Sequence, residues 1–180
     1  LYRHGSPLPR PASADALWVE PAQAGRDRVP LTRAPLHFDA GTGLLVARSE
    51  ALPPGSRLDG DGIVWTAGLT TWRKLAARGI WVTGSDESLG ESGAAGVRSW
   101  FPQVHRWIKL SHSGGYRSAH AELQPTYRTA RREALAPVDR YSHFFWNSGT
   151  QLREYLQAFP RLREAWHGCG PGNTYRIAHE

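Results

Sequence analysis

A short apolar run, then a small or hydroxyl residue, then apolar residues at helical spacing: this succession recurs in the chain and limits what it can fold into. It follows Trp65, Trp146 and Cys169. A strand that passes into a helix through so short a connection belongs to a parallel sheet, because the helix must carry the chain back over the sheet face. In the first instance Gly62-Ile63-Val64-Trp65-Thr66 reads as a strand and Gly68 as a turn. Leu69, Trp72, Leu75 and Ala76 then keep helical spacing, Gly79 supplies the stop, and Ile80-Trp81-Val82-Thr83 reads as the next strand. In the second, His143-Phe144-Phe145-Trp146 is a strand and Ser148 an N-cap. Leu152, Tyr155, Leu156 and Phe159 form an i, i+3, i+4, i+7 stripe that Pro160 ends. In the third, Trp166-His167-Gly168-Cys169 leads through Gly170-Pro171-Gly172-Asn173-Thr174 into a helical turn ending near Ala178.

The other segments fit the same class. Residues 1–15, rich in Pro, Ser and Arg, read as an extended arm, and 16–20 as a short strand. Residues 28–38 are broken by Pro30 and Pro35, so they read as an irregular strand at a sheet edge, where a missing donor is tolerated. Gly43-Leu44-Leu45-Val46-Ala47-Arg48 is a buried strand by its apolar run. Ser49 to Leu52 begins a helix that Pro53-Pro54-Gly55 cuts off. Residues 85–96 are small and polar, one helical turn and a loop. Trp107-Ile108-Lys109-Leu110-Ser111 is a strand leading into His112-Ser113-Gly114-Gly115, and residues 122–129 read as an extended crossover.

Composition narrows the function classes. The chain has 180 residues, 40% of them hydrophobic, which is enough for a core. It has no apolar run near the roughly 20 residues of a membrane span. No signal-peptide apolar region is visible at Leu1-Tyr2-Arg3-His4-Gly5, and Met is absent, so a trimmed chain is compatible with the sequence. Cys169 is the one cysteine, so neither an intrachain disulfide nor a multi-cysteine zinc site is expected. The net charge of +6 and pI near 10.0 suit an anionic partner or a solvated basic surface. Arg128, Arg131 and Arg132 are the tightest basic group.

A strand end that feeds a helix leaves N–H groups unpaired at a positive dipole end, and such junctions bind carboxylates and phosphates. They are equally the ordinary connections of any α/β protein. No Walker-type loop, G-x-G-x-x-G or G-x-S-x-G occurs. His112, His120 and His143 are dispersed, so no metal is expected. His167 and Cys169 read as a partly buried His beside a core thiol, and Asp86-Glu87 as a solvated loop, since adjacent side chains diverge. The eight Trp are most simply core, with one or two available to stack on a flat ligand.

Taken in order, several segments resemble the uroporphyrinogen-III synthase family. Val29-Pro30-Leu31 through Phe38 looks like the segment entering that family's inserted lobe, and residues 44–52 like its strand, Ser, Ala-Val element. Val64 to Thr71 is similar to its G-x-x-T-A junction, with Gly68 and Thr71 in register, and Leu75 to Ile80 with Asp86 to Leu89 continue in its style. Pro125-Thr126-Tyr127-Arg128-Thr129 looks like its V-Y-x-T crossover. Phe144-Phe145-Trp146-Asn147-Ser148-Gly149 is similar to F-F-S-P-S-G, and Cys169 to Thr174 to I-G-P-T-T-A. The likeness spans roughly residues 29–178 and rests on shared order. It departs at Trp146-Asn147, which replaces Ser-Pro, and in Thr174, which sits one place late with Asn173 in register. The family's first strand and helix are shortened or missing here unless residues 16–20 are that strand, and its usual C-terminal tail is absent.

The resemblance implies an α/β fold of two small parallel-sheet lobes joined by two extended crossover strands, with a ligand cleft between them. The first lobe would comprise 1–33 and 130–180, the inserted second lobe 36–126, and the crossovers would lie near 29–38 and 122–130. It implies a cofactor-independent lyase that cyclises hydroxymethylbilane with loss of water and inversion of ring D to uroporphyrinogen III, in heme biosynthesis. The expected setting is cytoplasmic and coupled to hydroxymethylbilane synthase, without membrane, metal or nucleic acid. Tyr127 would be the catalytic phenol, or else a packing aromatic at the hinge. Arg48, Ser49, Gly68, Thr71, Ser113, Gly114, Arg128, Ser148, Gly149, Gly172, Asn173 and Thr174 would bind the substrate carboxylates. The alternative is a non-catalytic basic module that binds a polyanion, either tetrapyrrole or nucleic acid.

Overall fold

Runs of apolar residues with inward and outward alternation build a six-stranded and a three-stranded sheet, each covered by helices, and a further two-stranded pair. A computed structural model describes residues 9–19, 26–87, 94–131, 135–170 and 173–179. In chain order the elements are β1 (Leu17–Val19), β2 (Arg26–Pro30), β3 (His37–Phe38), β4 (Thr42–Val46), β5 (Arg57–Leu58), β6 (Ile63–Thr66), α1 (Leu69–Ala76), β7 (Gly84–Ser85), α2 (Ala94–Trp100), β8 (Arg106–His112), β9 (Glu122–Arg131), β10 (His143–Trp146), α3 (Gly149–Ala158), β11 (Trp166–Cys169) and α4 (Asn173–His179). The expected α/β class with mostly parallel strands is what the structure shows. The chain divides into two compact units: Leu1–Arg26 with Arg131–Glu180, and Asp27–Ala130.

In the Asp27–Ala130 unit a six-stranded sheet runs in the order β2-β9-β8-β4-β6-β7. The adjacent pairs from β9 to β7 are parallel. Side chains alternate across it. Leu44, Val46, Val64, Ile108 and Leu110 join Leu75 of α1, Ala51 and Leu52 in one core. Ile63 and Trp107, with Leu45 and Trp65, face a second core that includes Val97 of α2. Gly43 is required by close approach: a Cβ there would lie 2.5 Å from the Trp107 ring. β3 and β5 form a separate parallel pair, and the His37 imidazole meets the Asp59 carboxylate at 2.7 Å.

In the other unit β10 lies between β1 and β11, all parallel. Trp18, Phe144 and Trp146 point to one side, where Leu152 and Tyr155 of α3 and Ile177 of α4 complete a core. The Trp18 and Trp146 rings are 4.8 Å apart and those of Trp146 and Tyr155 5.5 Å. The Ser148 hydroxyl accepts from the Gln151 amide at 3.3 Å, the N-cap its position predicts. Gly149 has no room for a side chain, since a Cβ would lie 2.4 Å from Ile177 Cδ1 and 3.3 Å from Thr174 Cα.

His167 is held as a neutral ring. The Trp146 indole donates to its Nδ1 at 2.9 Å, and its Nε2–H donates to the Leu162 carbonyl at 2.6 Å. Burial pushes its pKa below the ordinary 6.5, against the opposing Leu162 bond. In the pH range between the folded value and about 6.5 the unfolded chain takes up a proton that the folded one refuses. Its stabilisation is therefore complete above pH 6.5 and lost as pH falls below it, with a limiting slope of about 1.4 kcal/mol per pH unit. His167→Gln, which can still accept and donate, should flatten the fall in melting temperature between pH 7 and 5; equal slopes in the two proteins would remove His167 from the acid response.

One expectation is corrected. Residues 80–83 are not a strand: the Ile80 amide closes the end of α1 on the Leu75 carbonyl, and sheet bonding begins only when the Thr83 amide reaches the Val64 carbonyl. Of residues 85–96, expected to be one helical turn and a loop, 88–93 lie outside the described residues, while Ser85 closes β7 and Ala94 opens α2, whose Val97 is buried. Residues 122–129 are more than a crossover: they lie within β9, parallel to β8, where Pro125 stands opposite Ser111 and the register shifts before Tyr127 meets His112. Of the irregular edge strand expected over residues 28–38, the part up to Pro30 is one, since β2 ends the six-stranded sheet; residues 31–36 belong to no strand, and His37–Phe38 pair with β5 instead.

Candidate functional site

The carboxyl ends of β4, β6 and β8 lie side by side, since these strands are neighbours in register. The residues that follow them include most of those singled out in the sequence. After β4 come exposed Arg48 and buried Ser49. After β6, Gly68 precedes α1, and the Thr71 hydroxyl donates to the Ala47 carbonyl at 3.4 Å, fastening the start of α1 beside Arg48. After β8, the Ser113 amide donates to the Tyr127 carbonyl at 2.9 Å, with exposed Gly114 next along the turn. Arg128 is exposed on β9.

Tyr127 is 4% exposed and belongs to the core on the α1 side of the sheet. Burial raises its phenol pKa above the usual 10.0, outweighing the nearby Arg48 and Arg28 guanidiniums and a Ser111 hydrogen bond that lower it. The phenol therefore keeps its proton at neutral pH and is a donor, not a base. Arg78 holds the turn behind Arg48. Its guanidinium donates to the carbonyls of Ser49 (2.8 Å), Leu52 (2.7 Å) and Pro53 (3.1 Å). Nothing in the sequence singled it out beyond a basic residue near a helix end.

In the other unit, Ser148 and Gly149 open α3 against Thr174 of α4, so these three are neighbours. The Ser148 hydroxyl is already an N-cap. Gly172 lies outside the described residues, and so does the side chain of Asn173.

A hollow missed by the sequence reading opens in the Asp27–Ala130 unit at the ends of β4 and β6. Its cavity volume is about 30 Å³, and it is lined by Leu45, Ala47, Trp65, Ala67, Asp86 and Lys109, among others. Lys109 is 5% exposed; its ammonium donates to the Tyr116 carbonyl at 2.9 Å and lies 5.6 Å from the centre of that ring. The Trp65 indole donates to Asp86 Oδ1 at 2.9 Å. Glu87 turns instead to the Ser85 hydroxyl at 2.6 Å, so the two adjacent carboxylates do diverge. The signal for this site was a lysine in the middle of an apolar strand.

The chain matches no protein-family model and no curated protein. Among the described residues no group of three or more His, Cys, Asp or Glu is placed to hold a metal ion. No helix among them is long and apolar enough to cross a membrane. Cys169 packs at the edge of the Trp146 core, and burial raises its thiol pKa, which makes it a poor nucleophile.

Proposed function

We propose that the protein closes a linear tetrapyrrole, hydroxymethylbilane, into uroporphyrinogen III with loss of water and inversion of ring D. The observation that carries this reading is the rim formed by β4, β6 and β8. It gathers Arg48, the start of α1 and the Ser113 turn on one side of β9, the strand that carries Tyr127. A substrate bearing many carboxylates suits exposed guanidiniums at strand ends and a chain of net charge +6.

In this reading the protein's own groups bind and orient the substrate, and much of the rate comes from holding its two ends together. The protonated Tyr127 phenol donates to the hydroxyl that departs as water, and the proton released on ring closure restores the phenol. No cofactor takes part. The substrate comes from hydroxymethylbilane synthase in the cytoplasm.

The test supplies freshly made hydroxymethylbilane and resolves the oxidised products by chromatography. Type III isomer above the spontaneous type I background is the expected result. Type I alone from folded protein would reject catalysis. The net charge also favours a second reading, a polyanion-binding module, for which tetrapyrrole or nucleic acid would bind with steep salt dependence and without turnover.

A further inference from the structure

Two arginines of the Asp27–Ala130 unit bracket Tyr127, and the resemblance assigns only one of them. Sheet order sets them on either side: Arg28 is on β2, next to β9, and Arg48 follows β4, beyond β8. Arg48 is extended (φ −145°, ψ 150°), so it falls on the side of Leu44 and Val46, which share the Tyr127 core. Arg28 acts on the same phenol and also lowers the pKa of Glu50, which places it toward the turn that carries Arg48. Arg78 gives its guanidinium to three carbonyls, and Arg106 to the Glu122 carboxylate. Arg28 and Arg48 are exposed instead, and neither has a hydrogen-bond or ion-pair partner among the described residues. Glu50 is the carboxylate nearest in charge to Arg28, and Lys74 already meets it at 3.6 Å. Two guanidiniums beside one neutral phenol leave an excess of positive charge that an incoming carboxylate relieves.

We infer that Arg28 is a further substrate-binding residue, which with Arg48 grips one carboxylate arm of the tetrapyrrole beside the Tyr127 hydroxyl. The inference rests on the tetrapyrrole reading above and adds Arg28 to the residues it names. The backbone under both arginines is fixed before the ligand arrives. The Leu31 amide ties the end of β2 to the Thr126 carbonyl, one residue from Tyr127, and Arg78 ties the turn after Arg48. An arm held there keeps its ring next to the proton donor, which is an orienting role.

The test titrates a pyrrole bearing one acetate and one propionate arm into the whole protein at fixed ionic strength. It follows the Nε–H resonances of Arg28 and Arg48, assigned by their loss in Arg28→Gln and Arg48→Gln. Saturable shifts of both are expected, with affinity about tenfold lower in Arg28→Gln and partly recovered in Arg28→Lys, which keeps the charge without the fork. Lys74→Gln removes an equal charge from the other neighbour of Glu50 and should bind within about twofold of the parent. The dimethyl ester of the probe, which has no anionic arm, acts on unchanged protein and should give no saturable shift. Glu50→Gln separates a binding role from a structural one. Affinity unchanged or tighter is expected; a loss equal to that of Arg28→Gln would make Arg28 a structural partner of Glu50. No saturable shift at Arg28, or equal affinity in Arg28→Gln, would overturn the clamp. Arg28-dependent binding without type III product would sink the catalytic reading and leave the clamp; type III product with a KM unmoved by Arg28→Gln would do the reverse.

Discussion

Trp146→Ala should destabilise the unit formed by Leu1–Arg26 and Arg131–Glu180 by about 3–5 kcal/mol, the range for truncating a buried large aromatic. Trp146 is 0% exposed and meets aromatic rings on four elements. Its ring lies 4.8 Å from Trp18 on β1, 5.8 Å from Phe144 on its own strand, 5.5 Å from Tyr155 on α3 and 6.0 Å from His167 on β11. Its N–H also fixes His167. Alanine would leave a cavity that four aromatic rings on separate elements cannot close together, and an imidazole acceptor without its donor. Urea unfolding followed by near-ultraviolet circular dichroism reads the loss. A cost below about 1 kcal/mol would mean that the core collapses around the gap and is far softer than its packing implies.

Tyr127→Phe should lower turnover about a hundredfold or more while costing only about 1 kcal/mol of stability. The change removes one hydroxyl from a ring that is otherwise part of the core, so the fold survives it. The two readouts separate two roles. Type III formation that collapses in a protein with nearly unchanged melting places the phenol in the reaction. Turnover that stays level while melting falls makes Tyr127 a core aromatic hydrogen-bonded to Ser111, and the proton donor must then be sought elsewhere.

The fold was legible where local chemistry and tertiary packing agree. The strands at Gly43, Ile63 and His143 are apolar runs closed by turn residues, and the helices after Gly68 and Ser148 have both a spaced stripe and a start signal. It was illegible where one amide decided the outcome. Ile80-Trp81-Val82-Thr83 has strand composition, but the Ile80 N–H is taken by the end of α1. Helix α2 lacks an apolar stripe, and its main buried anchor is Val97. For the site, the rim residues could be found because strand ends are marked by Gly, Ser and Thr. The hollow offered only Lys109 inside an apolar run, because Trp65, Asp86 and Lys109 come from three separate stretches and meet only in the folded sheet.

The pairing of Leu17 with His143 carries a consequence for how the chain acquires its shape. During synthesis β1 emerges long before its partner β10, and all of Asp27–Ala130 must be made in between. That interval contains every strand partner its own sheet requires from β9 to β7, so it can order first. Once it has done so, its two ends leave through β2 and β9, which are neighbours, and a long floppy loop becomes a short clasp. The β1–β10 sheet is then a late event, and until it forms Trp18 lacks the Phe144, Trp146 and Tyr155 rings that pack against it.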